Sequence, residues 1–239
     1  MSIHCLRGKI SNLRKTRESA SFFFTDSDQT AMGVVAVAAA AVGLGSQAIA
    51  VASASTSVEE EADYLEFELD GCDIRGWVWR SPFNEGDEVE VAVERERGGH
   101  YIAYAIIRPS DRTIALYPHC SRGRLAHIKN AAKWWFWGVS ALLVFSCIFI
   151  GVLSYFSGYS SLGSFLSHGF EYFALAFYAF FGLMTYSMIK KWMPFIRLSE
   201  KCFAALGWSN PSNVDLVAST KKVRTHSDPG ELGVMYFRY

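Results

Sequence analysis

The sequence has no net charge, with 23 Lys and Arg against 23 Asp and Glu. That excludes a global basic field drawing the chain to nucleic acid. No CxxC occurs among the five scattered cysteines, Cys5, Cys72, Cys120, Cys147 and Cys202. An odd, scattered set does not read as a disulfide framework, and reduced thiols are expected. Nucleophile elbow, phosphate loop and dinucleotide fingerprint are all missing. No catalytic residue, cofactor-binding residue or metal ligand is therefore assigned, and no cofactor is expected. Met1–Ser21 is polar and basic and lacks the apolar stretch of a cleavable signal peptide. Above all, charge is missing from two long hydrophobic runs, Trp134–Phe156 and Tyr172–Ile189, and from the Gly/Ser-rich link Ser157–Gly169.

Those runs organise the chain. Each approaches the roughly 20 apolar residues a helix needs to cross a bilayer. Trp134, Trp135 and Trp137 stand at the start of the first and Trp192 follows the second, where aromatic belts are expected. Lys129 and Lys133 precede the hairpin, and Lys190 and Lys191 end it. The pattern predicts a transmembrane hairpin over 134–192, with both ends on the cytoplasmic side of the membrane. The basic approach, 122–133, is expected to meet anionic head groups.

A third hydrophobic segment, Ala31–Ser57, also carries no formal charge but consists mainly of Ala, Val, Gly and Ser. Ala36, Ala40, Gly43 and Gly45 are small residues of the kind that lets helices approach closely. A spanning helix, a helical hairpin broken near Gly43–Gly45, and an element that inserts only in an oligomer all fit. Basic clusters at Arg14, Lys15 and Arg17 and at Arg122–Lys133 belong on the same side, which favours an even number of crossings or none.

Between these segments, 58–121 reads as a soluble β domain. Tyr64–Leu69 alternates, with Leu65, Phe67 and Leu69 on one face. Asp70-Gly71 signals a turn into Ile74–Arg80, and Glu88–Glu94 places Val89, Val91 and Val93 together. Gly98-Gly99 closes a hairpin to Tyr101–Arg108, and Thr113–Tyr117 follows. Five short strands on tight turns suggest a small OB-like or SH3-like barrel. A strand at Ile3–Leu13, within an N-terminal section 1–30, could complete it, making Ala31–Ser57 an insertion. After the hairpin, 193–239 predicts an amphipathic helix over Phe195–Trp208, a helix start at Asn210-Pro211, and a terminal strand within Gly233–Tyr239.

The pairs His4-Cys5 and His119-Cys120 contain zinc-ligand types, but neighbours on a strand point to opposite faces. His100 reads as a hairpin residue, and His168 beside Glu171 as an interfacial pair. Trp77, Trp79, Tyr101 and Tyr104 could stack on bases. However, Glu59–Arg97 holds 14 acidic and 4 basic residues, the wrong sign for a phosphate channel. Barrel core or a protein-docking face is the better reading, and nucleic acid is not expected as a partner.

The strings LRGKISNLRKTRESASFFFT, AMGVVAVAAAAVGLG, IRGWVWRSPFNEGDEVEVAVE, YPHCSRGRLAHIKN and MYFRY together resemble a proteobacterial family described as type VI secretion system effectors. The resemblance covers nearly the whole chain and supplies no active-site residues. It implies a Gram-negative bacterial inner membrane and a link to contact-dependent secretion; as an effector, the chain would be a toxin of bacterial competition, with a spike or carrier protein and a cognate immunity protein as partners. Without catalytic motifs, such an effector is expected to perturb the lipid bilayer as a homo-oligomer, in the manner of a pore. The alternative is a resident inner-membrane adaptor or immunity protein whose barrel docks a cytoplasmic partner. A membrane-bound enzyme is a distant third.

Overall fold

The computed structural model describes residues 2–20, 22, 60–96, 99–157 and 169–239. Ala36, Ala40, Gly43, Gly45 and the proposed inserted helix lie outside the described residues, as does His168. The chain divides into two units. One holds residues 1–120, 205–207 and 216–239, and the other holds 121–204 and 208–215.

The first unit is built on seven strands, β1 (Ile3–Ala20), β2 (Glu60–Leu69), β3 (Cys72–Val78), β4 (Glu88–Arg95), β5 (Tyr101–Arg108), β6 (Thr113–Leu116) and β7 (Phe237–Arg238). Their order is β3-β2-β1-β4-β5-β6-β7, and a further pairing of β3 with β5 closes the first five into a barrel. Among the described barrel strands that closing contact is parallel and the other pairings are antiparallel. Alternation decides which residues fill the interior. Leu65, Phe67 and Leu69 of β2 and Val89, Val91 and Val93 of β4 are all buried, as their period of two requires. Asp70 and Gly71 both adopt positive φ, so the β2–β3 connection is the tight turn its sequence signals.

The N-terminal strand is longer and more central than its sequence suggests. β1 pairs with β4 through Ile3–Lys9 and with β2 through Ile10–Ala20. A bulge between Ser11 and Arg14 accompanies this change of partner. Asn12 there has φ +54°, and the Glu85 carboxylate accepts the N–H groups of Asn12 and Leu13 at 2.9 and 2.8 Å. A bulge bends a strand and increases its twist, as one strand serving two sides of a barrel needs. Closure depends on Gly76, where a Cβ would sit 2.4 Å from the carbonyl oxygen of Ala103. β6, expected inside the barrel, instead continues the sheet beyond β5, because β1 already occupies the position between β2 and β4.

The terminal strand is docked, as expected. β7 pairs with β6 through Thr113↔Arg238 and Ile114↔Phe237, and Phe237 is buried. The short helix Leu216–Val223 holds it from the other side. Thr220 Oγ1 accepts the Arg238 N–H at 2.8 Å, and the Arg238 guanidinium forks onto Asp228 at 2.9 and 3.1 Å.

The second unit contains helices α1 (Arg124–Ser157) and α2 (Phe170–Ala205) and a short 3₁₀ turn, Pro211–Asn213. Both helices are long and apolar enough to cross a membrane. The basic segment before the first run is helical from Arg124 onward and continuous with it. Nor is the amphipathic segment after the second run a separate helix. α2 passes through Pro194 without breaking. Proline removes one donor from the helical ladder. The turns beyond it are secured by buried Ile196, Ser199, Cys202 and Phe203.

Candidate functional surfaces

The described residues form no catalytic constellation, and none of their His, Cys, Asp and Glu side chains cluster in a way that could hold a metal ion. His4 lies edge-on to Tyr101, with ring centroids 5.7 Å apart. His119 packs against Trp79 at 4.9 Å, with Nε2 2.8 Å from a Glu60 oxygen. The two His-Cys pairs therefore face different neighbours. His100 pairs with Glu96 in the β4–β5 hairpin. The His119–Glu60 contact joins residues 59 positions apart, and no local pattern announces it. Burial lowers the His119 pKa from its ordinary value, while the Glu60 charge and hydrogen bond oppose that shift.

The outer face of β2 and β3 is a more promising surface. Outward positions on β2 are Tyr64, Glu66 and Glu68, and their β3 partners are Trp77, Arg75 and Asp73. Tyr64 and Trp77 pack at 4.9 Å, Phe22 meets Trp77 at 5.3 Å and Tyr117 at 5.7 Å, and Tyr104 extends the ledge. Burial pushes the Tyr117 pKa up to about 12. Of the four aromatics considered for base stacking, Trp77 and Tyr104 belong to this ledge. Trp79 and Tyr101 are engaged with histidines elsewhere.

Beside the ledge the face is acidic. Glu66 pairs with Arg75 at 3.5 Å, but Glu68 stands directly across from Asp73. Like charges opposite one another on a sheet repel. Asn12, Arg14, Glu66, Glu68, Asp73 and Glu85 line an open groove here. A phosphate backbone would meet net repulsion along it, whereas a cationic side chain would relieve the Glu68–Asp73 opposition.

The second surface is the basic end of the helical hairpin. α1 and α2 run antiparallel. Trp135 packs on Tyr178 at 5.7 Å and against Gly182, and the hydroxyls of Ser140 and Tyr178 are 2.6 Å apart. Ala131 and Met188 line the same interhelical groove. This register brings Lys129 and Lys133 to the level of Lys190 and Lys191, with Trp134, Trp135, Trp137 and Trp192 around them. All four lysines are exposed, and Trp134 is 68% exposed. The interface residues expected from sequence thus share one end of the hairpin. The acidic residues there were not anticipated. Glu200 accepts the Arg124 backbone N–H at 2.9 Å, and Asp215 pairs with Arg122 at 3.1 Å. Gly123 lets this end close, since a Cβ there would lie 2.1 Å from the Pro211 oxygen.

The chain matches no protein-family model, no curated protein and no solved structure.

Proposed function

We propose that this is an integral inner-membrane adaptor whose OB-type barrel, on the cytoplasmic side, docks a basic segment of a partner protein. The observation that carries it is the outer face of β2 and β3, where the Tyr64–Trp77 ledge adjoins Glu66, Glu68 and Asp73. The strand order, with a single parallel contact between β3 and β5, supports an OB-type barrel. In OB barrels the β2–β3 face is a ligand surface. Here its aromatics suit a binding face and its charge suits a cationic chain. The hairpin supplies the anchor. Leu175 and Leu183 are 70% and 71% exposed and Phe145 is 66% exposed, apolar surface that a bilayer would cover.

The test uses the full chain in lipid nanodiscs. A fluorescent Lys/Arg-rich peptide, its Glu-substituted counterpart and a single-stranded oligonucleotide are titrated in turn. Only the basic peptide is expected to bind, and the double variant Glu66→Lys/Glu68→Lys is expected to abolish binding. Oligonucleotide binding without peptide binding would overturn the assignment.

The family resemblance favours a second reading, an effector that oligomerises in a target membrane. One feature suits it, an apolar groove between the helices lined by Trp134, Gly138, Leu142, Phe181 and Met188, open to a second copy. Another suits it less. Ser140, Ser146 and Thr185 donate to carbonyls one turn back in their own helices, so these hydroxyls do not assemble a polar lining. Expression in a sensitive bacterium with a membrane-potential dye separates the readings. Rapid depolarisation supports the effector, and stable potential with normal growth supports the adaptor.

A further inference from the structure

The two acidic residues at the basic end of the hairpin are both engaged, Glu200 at the α1 terminus and Asp215 with Arg122. Between Ser121 and Ser199 the sequence contains one acidic residue, Glu171, which begins α2 at its opposite end. Among the described residues, Lys129, Lys133, Lys190 and Lys191 therefore have no carboxylate partner in this unit. Their positive charge is concentrated at one level, ringed by tryptophan. Arg197 and Lys201 are also exposed, but lie further along α2, about 9 and 15 Å beyond Lys191 at helical rise.

We infer that these four lysines form a collar that selects anionic phospholipid head groups at the cytoplasmic surface. This rests on the reading of α1 and α2 as membrane-spanning. The argument is one of charge complementarity. An ammonium group at head-group level gains from a phosphate whose charge is not cancelled by choline. Trp134 and Trp192 set that level. Lys129 and Lys133 are four residues apart and share a face of α1. Lys190 and Lys191 are adjacent and diverge, so the collar is distributed around the hairpin. Arg197 and Lys201 stand more than about a Debye length farther out at physiological salt and take little part.

The collar's own tryptophans report the outcome. The full chain is reconstituted in brominated phosphatidylcholine, which quenches tryptophan in contact with lipid. Unbrominated phosphatidylglycerol or phosphatidylcholine is then added as competitor. Phosphatidylglycerol is expected to relieve quenching at least about threefold more effectively, an advantage of the size expected for a lysine at an anionic surface. High salt is expected to shrink that advantage. The quadruple variant Lys129→Gln/Lys133→Gln/Lys190→Gln/Lys191→Gln is expected to bring the ratio to one. The corresponding arginine variant and Arg197→Gln/Lys201→Gln are expected to preserve it. Equal competition by the two lipids in the native chain would overturn the collar while leaving the anchor intact. Retained preference in the glutamine variant would do the same. Absence of quenching by any brominated lipid would overturn the spanning reading and the collar with it.

Discussion

His119 illustrates how one buried group ties this fold to pH. Its imidazole is held between Trp79 and Glu60, and burial lowers its pKa in the folded state. The unfolded chain then takes up the proton first. Stability of the barrel unit is expected to fall as pH drops below about 6.5, the ordinary histidine value, and to level off below the folded pKa. Thermal unfolding at several pH values in detergent should therefore show a shallower dependence in His119→Gln. An unchanged slope would remove His119 as its source. Asp228 carries the opposite sign. The Thr225 N–H and the Arg238 guanidinium hold its carboxyl down to about 2. Its contribution is present above the ordinary carboxylate pKa near 4 and lost as pH falls through 2. Asp228→Asn is expected to accelerate hydrogen exchange at Arg238 without melting the barrel.

At the scale of elements, legibility depended on whether an element buries one regular face. β2 and β4 alternate because they do, and their residues could be read directly. The second half of β1 could not. Arg14–Ser19 is exposed along its length and carries no apolar alternation. Its strand character comes from pairing with Glu60–Glu66, which local sequence does not announce. α2 was obscured differently, because Pro194 imitates a boundary in a helix whose continuation rests on burial beyond it. The lysine–tryptophan end of the hairpin was legible from residue types alone, whereas the β2–β3 ledge required knowing which aromatics face outward. Barrel closure offers a direct test of the β3–β5 contact. Gly76→Ala drives a methyl group into the Ala103 carbonyl and is expected to cost about 1–3 kcal/mol in denaturant unfolding. Gly71→Ala meets no neighbouring atom, and any loss there would report its positive φ instead.

For the whole molecule, the proposed activity divides between two units that separate by substitution. Glu66→Lys/Glu68→Lys should impair peptide capture and leave lipid selection unchanged, and the lysine collar variant should do the reverse. Paired binding and quenching measurements on each variant check this independence. Ala20 and Glu60 are partners across β1 and β2, so the two strand ends that flank the intervening 39 residues lie one strand-spacing apart. To the barrel, this stretch is a guest admitted and dismissed at a single doorway. Replacing residues 23–59 by Asn-Gly would keep Phe22 against Trp77 and Tyr117 and join β1 to β2 through a short loop. The shortened chain is expected to retain the barrel's unfolding transition, leaving the excised stretch free to be transplanted and assayed in another host.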